Sequence, residues 1–171
     1  ARSIVITSVT RDDLPDGGAA HWVATIEAIR ARQPDVQIEV LIPDFAGNMK
    51  AADSVVETRP EIYGHNLETV PRLYPFVRRG ANYGTSLEVL RRGAKAGLVA
   101  KTALMVGLGE TDEELLETIK DAREAGVKVV YIGQYLQPSV LHAPVERFVS
   151  PAEFAELRRK ALALGFDDVR A

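Results

Sequence analysis

Short apolar runs recur along the chain and are separated by longer amphipathic stretches. The first run, residues 3–8, is rich in β-branched residues and shows no alternation of polar and apolar positions, which is the pattern of a buried strand in a parallel sheet. The sequence therefore predicts strands at residues 3–8, 36–42, 62–63, 100–106, 127–132 and 166–169.

Helix signals fill the intervals between these strands. Within residues 20–32 apolar side chains recur at spacings of three and four, which indicates an amphipathic helix. Thr111 with Glu114, and Ser150 with Glu153, have the spacing of a capping box, in which two side chains satisfy free backbone amides of the first turn. The predicted helices are residues 20–32, 49–57, 86–96, 112–125 and 151–164, with residues 71–77 as a loop or irregular helix and residues 134–148 irregular.

Strand and helix alternate about every thirty residues, as in βα units with right-handed crossovers around a parallel sheet. Both a barrel and an open doubly wound sheet fit this period. Polar or glycine-rich residues follow every strand at the same end, whereas an open sheet concentrates its site at one switch point. We therefore predict an α/β fold, a partial (β/α)6 TIM-like barrel with parallel strands, formed by residues 1–171 as a single domain.

Composition narrows the class of protein. The 171 residues are 46% hydrophobic, enough for a buried core, and a net charge of −3 gives no reason to expect nucleic acid or an anionic membrane as partner. No apolar stretch reaches the roughly 18 residues of a membrane span, and no signal-peptide pattern is visible, so we expect an intracellular protein. The absence of cysteine excludes disulfides and thiolate-held metal centres within these residues.

Polar residues cluster most densely after the third strand, at His65, Asn66 and Glu68. These side chains suit a metal ion, general acid–base chemistry, or the charged ends of an amino-acid-like ligand. A polar network that seals the end of the barrel uses the same residue types. The sequence leaves these alternatives open.

Glycine pairs mark two further strand ends. Gly107 and Gly109 precede a capped helix, and Gly17 with Gly18 precede another. Both pairs let backbone groups approach a ligand, with helix amides as donors after Gly109, and both also fit simple tight turns.

Charged residues near the strand ends complete the candidate set. Arg11 and Asp12 suit a polar substrate contact or an exposed turn, and Asp44 follows the second strand. Lys101 begins its strand, so we expect it at the end of the barrel opposite the site. His142 lies in an irregular stretch and is expected on the surface.

Five stretches of sequence carry a family resemblance. They are TSVTRDDLPDGGA at 7–19, EVLIPDF at 39–45, HNLETVPRLY at 65–74, LMVGLGETDEE at 104–114 and GQYLQPS at 133–139. In this order they resemble lipoyl synthase of the radical S-adenosylmethionine (SAM) superfamily, over nearly the whole chain.

The resemblance implies a radical-SAM-type barrel and a sulfurtransferase activity. Enzymes of this family insert two sulfur atoms at C6 and C8 of an octanoyl chain attached to a carrier-domain lysine. A reduced 4Fe-4S cluster splits SAM to a 5′-deoxyadenosyl radical, and a second 4Fe-4S cluster donates the sulfur. The implied partners are an octanoylated lipoyl carrier domain or H protein and an electron donor such as ferredoxin or flavodoxin, in the cytoplasm, or in mitochondria or plastids of a eukaryote.

Site residues follow from the same resemblance. Gly17 and Gly18 resemble the backbone that receives the methionine amino group, and Asn66, Glu68 and Arg72 resemble contacts to the methionine and ribose. The adenine-side wall is expected from Val106, Gly107, Gly109, Gln134, Tyr135, Leu136 and Gln137. The substrate side is expected from Arg11, Asp12, Asp44 and His65.

The chain also departs from the family pattern. It lacks the Cys-x3-Cys-x2-Cys loop, expected after a strand that precedes Ala1, the cysteines of the second cluster, and the Arg-Ser-Ser-Tyr segment. Gly64 stands where the family more often has asparagine. We therefore expect this chain alone to be inactive, with two unpaired sheet edges that favour poor solubility or pairing with another chain.

Two functions of other classes remain open at this stage. One is a metal-dependent barrel hydrolase that uses Asp12, Asp44, His65 and Glu68. The other is a non-catalytic scaffold that binds a carrier protein.

Overall fold

Six parallel strands lie side by side in chain order. The structure is a computed structural model and describes residues 2–171. The strands are β1 (Ser3–Thr7), β2 (Gln37–Leu41), β3 (Ile62–Gly64), β4 (Val99–Val106), β5 (Val129–Gln134) and β6 (Asp168–Arg170). Each pairs in parallel with the next, and among the described residues β1 and β6 do not pair with each other, so the sheet is open.

Helices connect the strands in the predicted places. They are α1 (Ala19–Arg32), α2 (Met49–Glu57), α3 (Tyr74–Val77), α4 (Tyr83–Lys95), α5 (Asp112–Glu124) and α6 (Pro151–Ala163), with 3-10 turns at Phe45–Gly47 and Pro71–Leu73. Both predicted capping boxes form, at Thr111 with Glu114 and at Ser150 with Glu153. The α4 helix begins three residues before the predicted start because Asn82 caps it, accepting a hydrogen bond from the Thr85 amide.

The two faces of the sheet differ. Successive strand side chains point to opposite faces, and on one face they are buried against the helices: Ile38 and Val40 under α1 and α2, and Leu104 and Ile132 under α4, α5 and α6. We call the other, helix-free face the inner face. Side chains there are only partly buried, and Val5 of the edge strand β1 is 63% exposed.

Lys101 lies on this inner face. Its neighbours in sequence, Ala100 and Thr102, are buried on the helix side, so the alternation of the strand directs Lys101 inward. There its ammonium pairs with Glu39 at 2.6 Å. Lys101 is the third of the eight residues of β4, so it lies in the half of the strand away from the carboxyl end and faces inward.

Gly93 of α4 packs directly against the Tyr63 ring, and a Cβ at this position would overlap that ring. Gly93→Ala should therefore lower the free energy of unfolding by about 1–3 kcal/mol, although alanine is the better helix former by about 1 kcal/mol. Chemical denaturation measures the change. In a Tyr63→Leu background, which removes the ring, the same substitution should cost nothing; an equal cost in both backgrounds contradicts this packing.

Candidate functional site

The segment after β3 lies at the carboxyl end of the sheet and continues it. The Glu68 amide donates to the Ala103 carbonyl at 3.0 Å, and the Met105 amide donates to the Glu68 carbonyl at 2.8 Å. This pairing with β4 holds Glu68 at a φ of 66°, in the left-handed region. The half-buried side chains of Asn66 and Glu68 make no hydrogen bond or ion pair within residues 2–171, so they are available to a ligand.

His65 lies below this surface, 1% exposed, and both of its ring nitrogens bind protein groups. Nδ1 is 2.8 Å from the Ile42 carbonyl, which only accepts, so Nδ1 carries the proton. Nε2 is 3.0 Å from Ser86 Oγ, and that hydroxyl also accepts from Arg78 at 2.7 Å. Burial lowers the His65 pKa to about 4. The predicted substrate contact of His65 is therefore not supported, because its ring fastens β2 to α4.

The loop after β1 presents a hydrogen-bond acceptor. Gly17 and Gly18 have φ values of 61° and 87°, and the Asp16 carboxylate accepts from the amides of Gly18 and Ala20, which lowers the Asp16 pKa. The Gly17 carbonyl accepts no hydrogen bond from residues 2–171. An ammonium group needs such an acceptor, and the Gly17 carbonyl offers one, whereas the Gly18 carbonyl already accepts from the amides of His21 and Trp22.

The polar side chains that the sequence predicts near this loop are Arg11, Asp12 and Asp44, and they differ in exposure and in hydrogen-bond partners. Arg11 and Asp13 form an exposed ion pair at 2.6 Å, and Asp12 is exposed beside them, as in the simple turn that the sequence also allowed. Arg11 does approach Gly18. Asp44 accepts from the Ala46 amide at 3.1 Å and so caps the 3-10 turn, which brings Phe45 against Gly17.

In the loop after β4, a carboxylate of the loop itself accepts hydrogen bonds from two of its backbone amides. The buried Glu110 carboxylate accepts from the amides of Gly107 at 2.7 Å and Leu108 at 2.9 Å. These two amides are therefore not free to bind a ligand. The first turn of α5 also carries Asp112, Glu113 and Glu114, which disfavour an anion at that helix end.

Arg72 ties this loop to the segment after β3. Its guanidinium donates to Glu114 at 2.6 Å and to the Gly109 carbonyl at 2.8 Å. The hydrogen bonds from Arg72 and from the Thr111 amide lower the Glu114 pKa to about 2. Arg72 thus lies beside the predicted SAM site, but its charge is already paired with a protein carboxylate.

The Gln134 side chain hydrogen-bonds to backbone groups and does not face the opening of the site. Its amide nitrogen is 3.0 Å from the Tyr135 carbonyl and 3.1 Å from the Arg147 carbonyl, and its oxygen accepts from the Val149 amide at 2.8 Å. Val106 has its side chain in the helix-side core. A Cβ on Gly107 would overlap Arg147 and Gln134. These residues therefore shape the expected adenine wall from behind, and their side chains do not line it.

An apolar cavity of about 760 Å³ lies between α3 and the segment after β5. Tyr135 is buried in its wall and donates to the Ala143 carbonyl at 2.8 Å, Leu136 is 67% exposed, and Gln137 donates to the His142 carbonyl. The sequence analysis missed Phe76, Met105 and Leu141, which line the cavity. Only Met105 had a usable signal, because the alternation of β4 directs it inward. His142 is on the surface, as predicted.

The hydrolase hypothesis needs convergent metal ligands. Within the part of the chain that the structure describes, no three His, Cys, Asp or Glu side chains lie close enough to share a metal ion. His65 is buried and Asp12 is exposed. The geometry that this hypothesis requires is not formed by residues 2–171.

Comparison with known proteins defines the class. The model of the radical SAM superfamily matches residues 1–122, and the chain belongs to that superfamily. Crystal structures of methylornithine synthase PylB and of the hydrogenase maturase HydG each superpose over 99% of this chain with a TM-score of 0.64, at 12% and 15% identity, covering 56% and 46% of those proteins. At these identities the likeness concerns the fold, and it confirms the predicted partial TIM-like barrel.

The most informative relatives are lipoyl synthases. That of Chlorobium phaeovibrioides is 53% identical over 169 residues, covering 98% of this chain and 60% of that protein. That of Parabacteroides distasonis is 54% identical over 167 residues, which are 98% of this chain and 59% of that protein. That of Serratia proteamaculans is 53% identical over 168 residues, which are 96% of this chain and 52% of that protein. The resemblance to lipoyl synthase is confirmed, and the chain spans 52% to 60% of the length of these relatives.

None of the helices within residues 2–171 is long and apolar enough to cross a bilayer.

The buried imidazole of His65 predicts a pH dependence of stability. Its folded pKa of about 4 lies below the ordinary 6.5, so between these values the unfolded chain binds a proton that the folded chain does not. The free energy of unfolding should therefore fall as the pH drops from 6.5 to 4, by about 3 kcal/mol. Urea denaturation at a series of pH values tests this. His65→Asn should lose this dependence and the exposed His142→Asn should keep it; an unchanged dependence in His65→Asn refutes it.

The tethering role of Gln134 is tested by a matched pair of substitutions. Gln134→Leu leaves the Val149 amide and the Arg147 carbonyl without their partner, which should cost about 1–3 kcal/mol in the free energy of unfolding. The exposed Gln137→Leu removes a single surface hydrogen bond and should cost less than about 0.5 kcal/mol. Equal effects would show that Gln134 does not hold this segment.

Proposed function

We propose that this chain is the SAM-binding and substrate-binding part of a lipoyl synthase. The whole protein would insert two sulfur atoms at C6 and C8 of a protein-bound octanoyl group in lipoate biosynthesis. The similarity to lipoyl synthases over 98% of the chain carries the proposal. The unpartnered polar groups at the carboxyl end of the sheet support it.

The proposed ligand has charges that these groups match. The methionine part of SAM carries an ammonium, a carboxylate and a sulfonium. The Gly17 carbonyl offers an acceptor to the ammonium, and Glu68 offers negative charge near the cationic groups. Asn66 offers both a donor and an acceptor. SAM, when bound, supplies the carbon radical precursor, and the chain orients it and excludes water from it.

The iron–sulfur clusters implied by the family do not fit the residues of this chain. Such clusters are held by thiolates, and the sequence contains no cysteine. We therefore propose that this chain alone binds SAM but is inactive, and that sulfurtransferase activity needs cluster ligands outside these residues.

The proposal extends to partners and location. The substrate would arrive on an octanoylated lipoyl carrier domain or H protein, and electrons would come from ferredoxin or flavodoxin. We place the reaction in the cytoplasm, or in mitochondria or plastids of a eukaryote. Nucleic acid and membranes are not proposed partners, in keeping with the net charge of −3.

Calorimetric titration of the chain with SAM tests the binding role. Saturable binding is expected, and Glu68→Gln should weaken it at least about tenfold, because a carboxylate–cation contact in a partly buried site is worth about 1.5–3 kcal/mol. Glu27→Gln, on the exposed face of α1, is the matched control and should leave affinity unchanged. Absence of binding, or equal weakening by both substitutions, contradicts the proposal. Metal-dependent binding would favour the hydrolase, and binding of the carrier without SAM would favour the scaffold.

A further inference from the structure

The central strands of the inner face carry a partly buried ion pair, separate from the Asp168–Arg170 pair of the edge strand β6. Lys101 Nζ is 2.6 Å from Glu39 Oε1, and each side chain is only 18% exposed although the sheet is open. Lys101 Nζ also lies 4.1 Å from the centre of the Tyr131 ring. We call Glu39, Lys101 and Tyr131 the inner cluster. None of its members belongs to the SAM-binding groups described above.

The inner cluster extends over β3, from β2 to β5. Glu39 is on β2 and Lys101 on β4, so β3 lies between them, and two strand spacings amount to about 10 Å. Lys101 pairs with Gly64 of β3 and Glu39 pairs with Ile62, so the ion pair crosses β3 diagonally, and Gly64 places no side chain at the Lys101 end of that path. The ion pair therefore lies across the inner face over β3, and the Tyr131 ring covers its Lys101 end.

Between this ion pair and the carboxyl end of the sheet, the inner face is lined by small or apolar residues. From Lys101 toward the carboxyl end, the next inward residues of β4 are Ala103 and Met105, and Gly133 of β5 pairs with Met105. Met105 is four residue steps along the strand from Lys101, a depth of about 13 Å. Met105 also lines the 760 Å³ apolar cavity, so that cavity leads onto the inner face.

We propose that the inner cluster is the floor of the substrate cavity and limits the length of the acyl chain that this chain accepts. The inference rests on the proposed function, since it concerns the octanoyl substrate. An unbranched alkyl chain fits beside Ala103 and Gly133. It stops at Lys101 and Glu39, because further entry would separate or desolvate an ion pair that the apolar chain does not solvate.

Peptides that carry acyl-lysine with 6, 8, 10 or 12 carbons test the floor by calorimetry. Without a floor, affinity rises about fourfold for each buried methylene, the ratio that corresponds to ~0.8 kcal/mol. With a floor, affinity rises with acyl chain length up to a limiting length, and for longer chains it stays constant or decreases. We call this limiting length the break. A steady rise through 12 carbons in the unmodified chain overturns the inference, whether or not any variant folds.

Two paired variants separate volume from charge. Lys101→Ala with Glu39→Ala opens the floor without leaving one charge unpaired, and should move the break by two or more carbons. Lys101→Met with Glu39→Gln keeps the volume and removes the charge, and should weaken the break, because longer acyl chains then enter without separating or desolvating two charges. A break of undiminished size in this pair overturns the inference that the ion pair sets the limit. A break that stays in place in the alanine pair, with octanoyl-peptide binding retained, overturns the inference and leaves the proposed function intact. Failure of the unmodified chain to bind any acyl peptide overturns the inference and the proposed substrate together, while SAM binding is scored separately.

Discussion

Backbone pairing between Glu68 and β4 is the interaction on which the candidate site depends. Two hydrogen bonds, to Ala103 and from Met105, fix the segment after β3 against the end of β4. Arg72, a few residues on, then reaches the loop after β4 and the first turn of α5. Together with the bonds from the His65 amide to the Lys101 carbonyl and from the Leu67 amide to Thr102, this pairing fixes the polar residues of the segment relative to the neighbouring loops.

The loops around this segment share a second property, which is that most of their donors are satisfied internally. Glu110 takes the amides of Gly107 and Leu108, and Asp16 takes those of Gly18 and Ala20. Acceptors such as the Gly17 carbonyl and the Glu68 carboxylate remain available among the described residues. A site with spare acceptors and negative charge favours a cationic ligand over an anionic one. This selectivity agrees with a sulfonium and an ammonium group.

Local sequence signals were enough for the order of strands and helices and for both capping boxes, because these depend on residues close together in the chain. The roles of His65 and Gln134 were beyond such signals. His65 is fixed by Ile42 and Ser86, and Gln134 by Arg147 and Val149, so only the folded chain decides which way each side chain points. Glu68 was predicted to face the opening and has no competing partner within residues 2–171, yet its left-handed backbone had no signal in the sequence.

The left-handed backbone of Glu68 lowers the conformational stability of the chain. A non-glycine residue in the left-handed region costs roughly 1–2 kcal/mol, and Glu68 has a φ of 66°. Selection for folding alone would favour glycine at this position, and glycine would discard the carboxylate. Glu68 therefore carries a cost in conformational stability, and the carboxylate that glycine would lack is the group that the proposed contact with SAM uses.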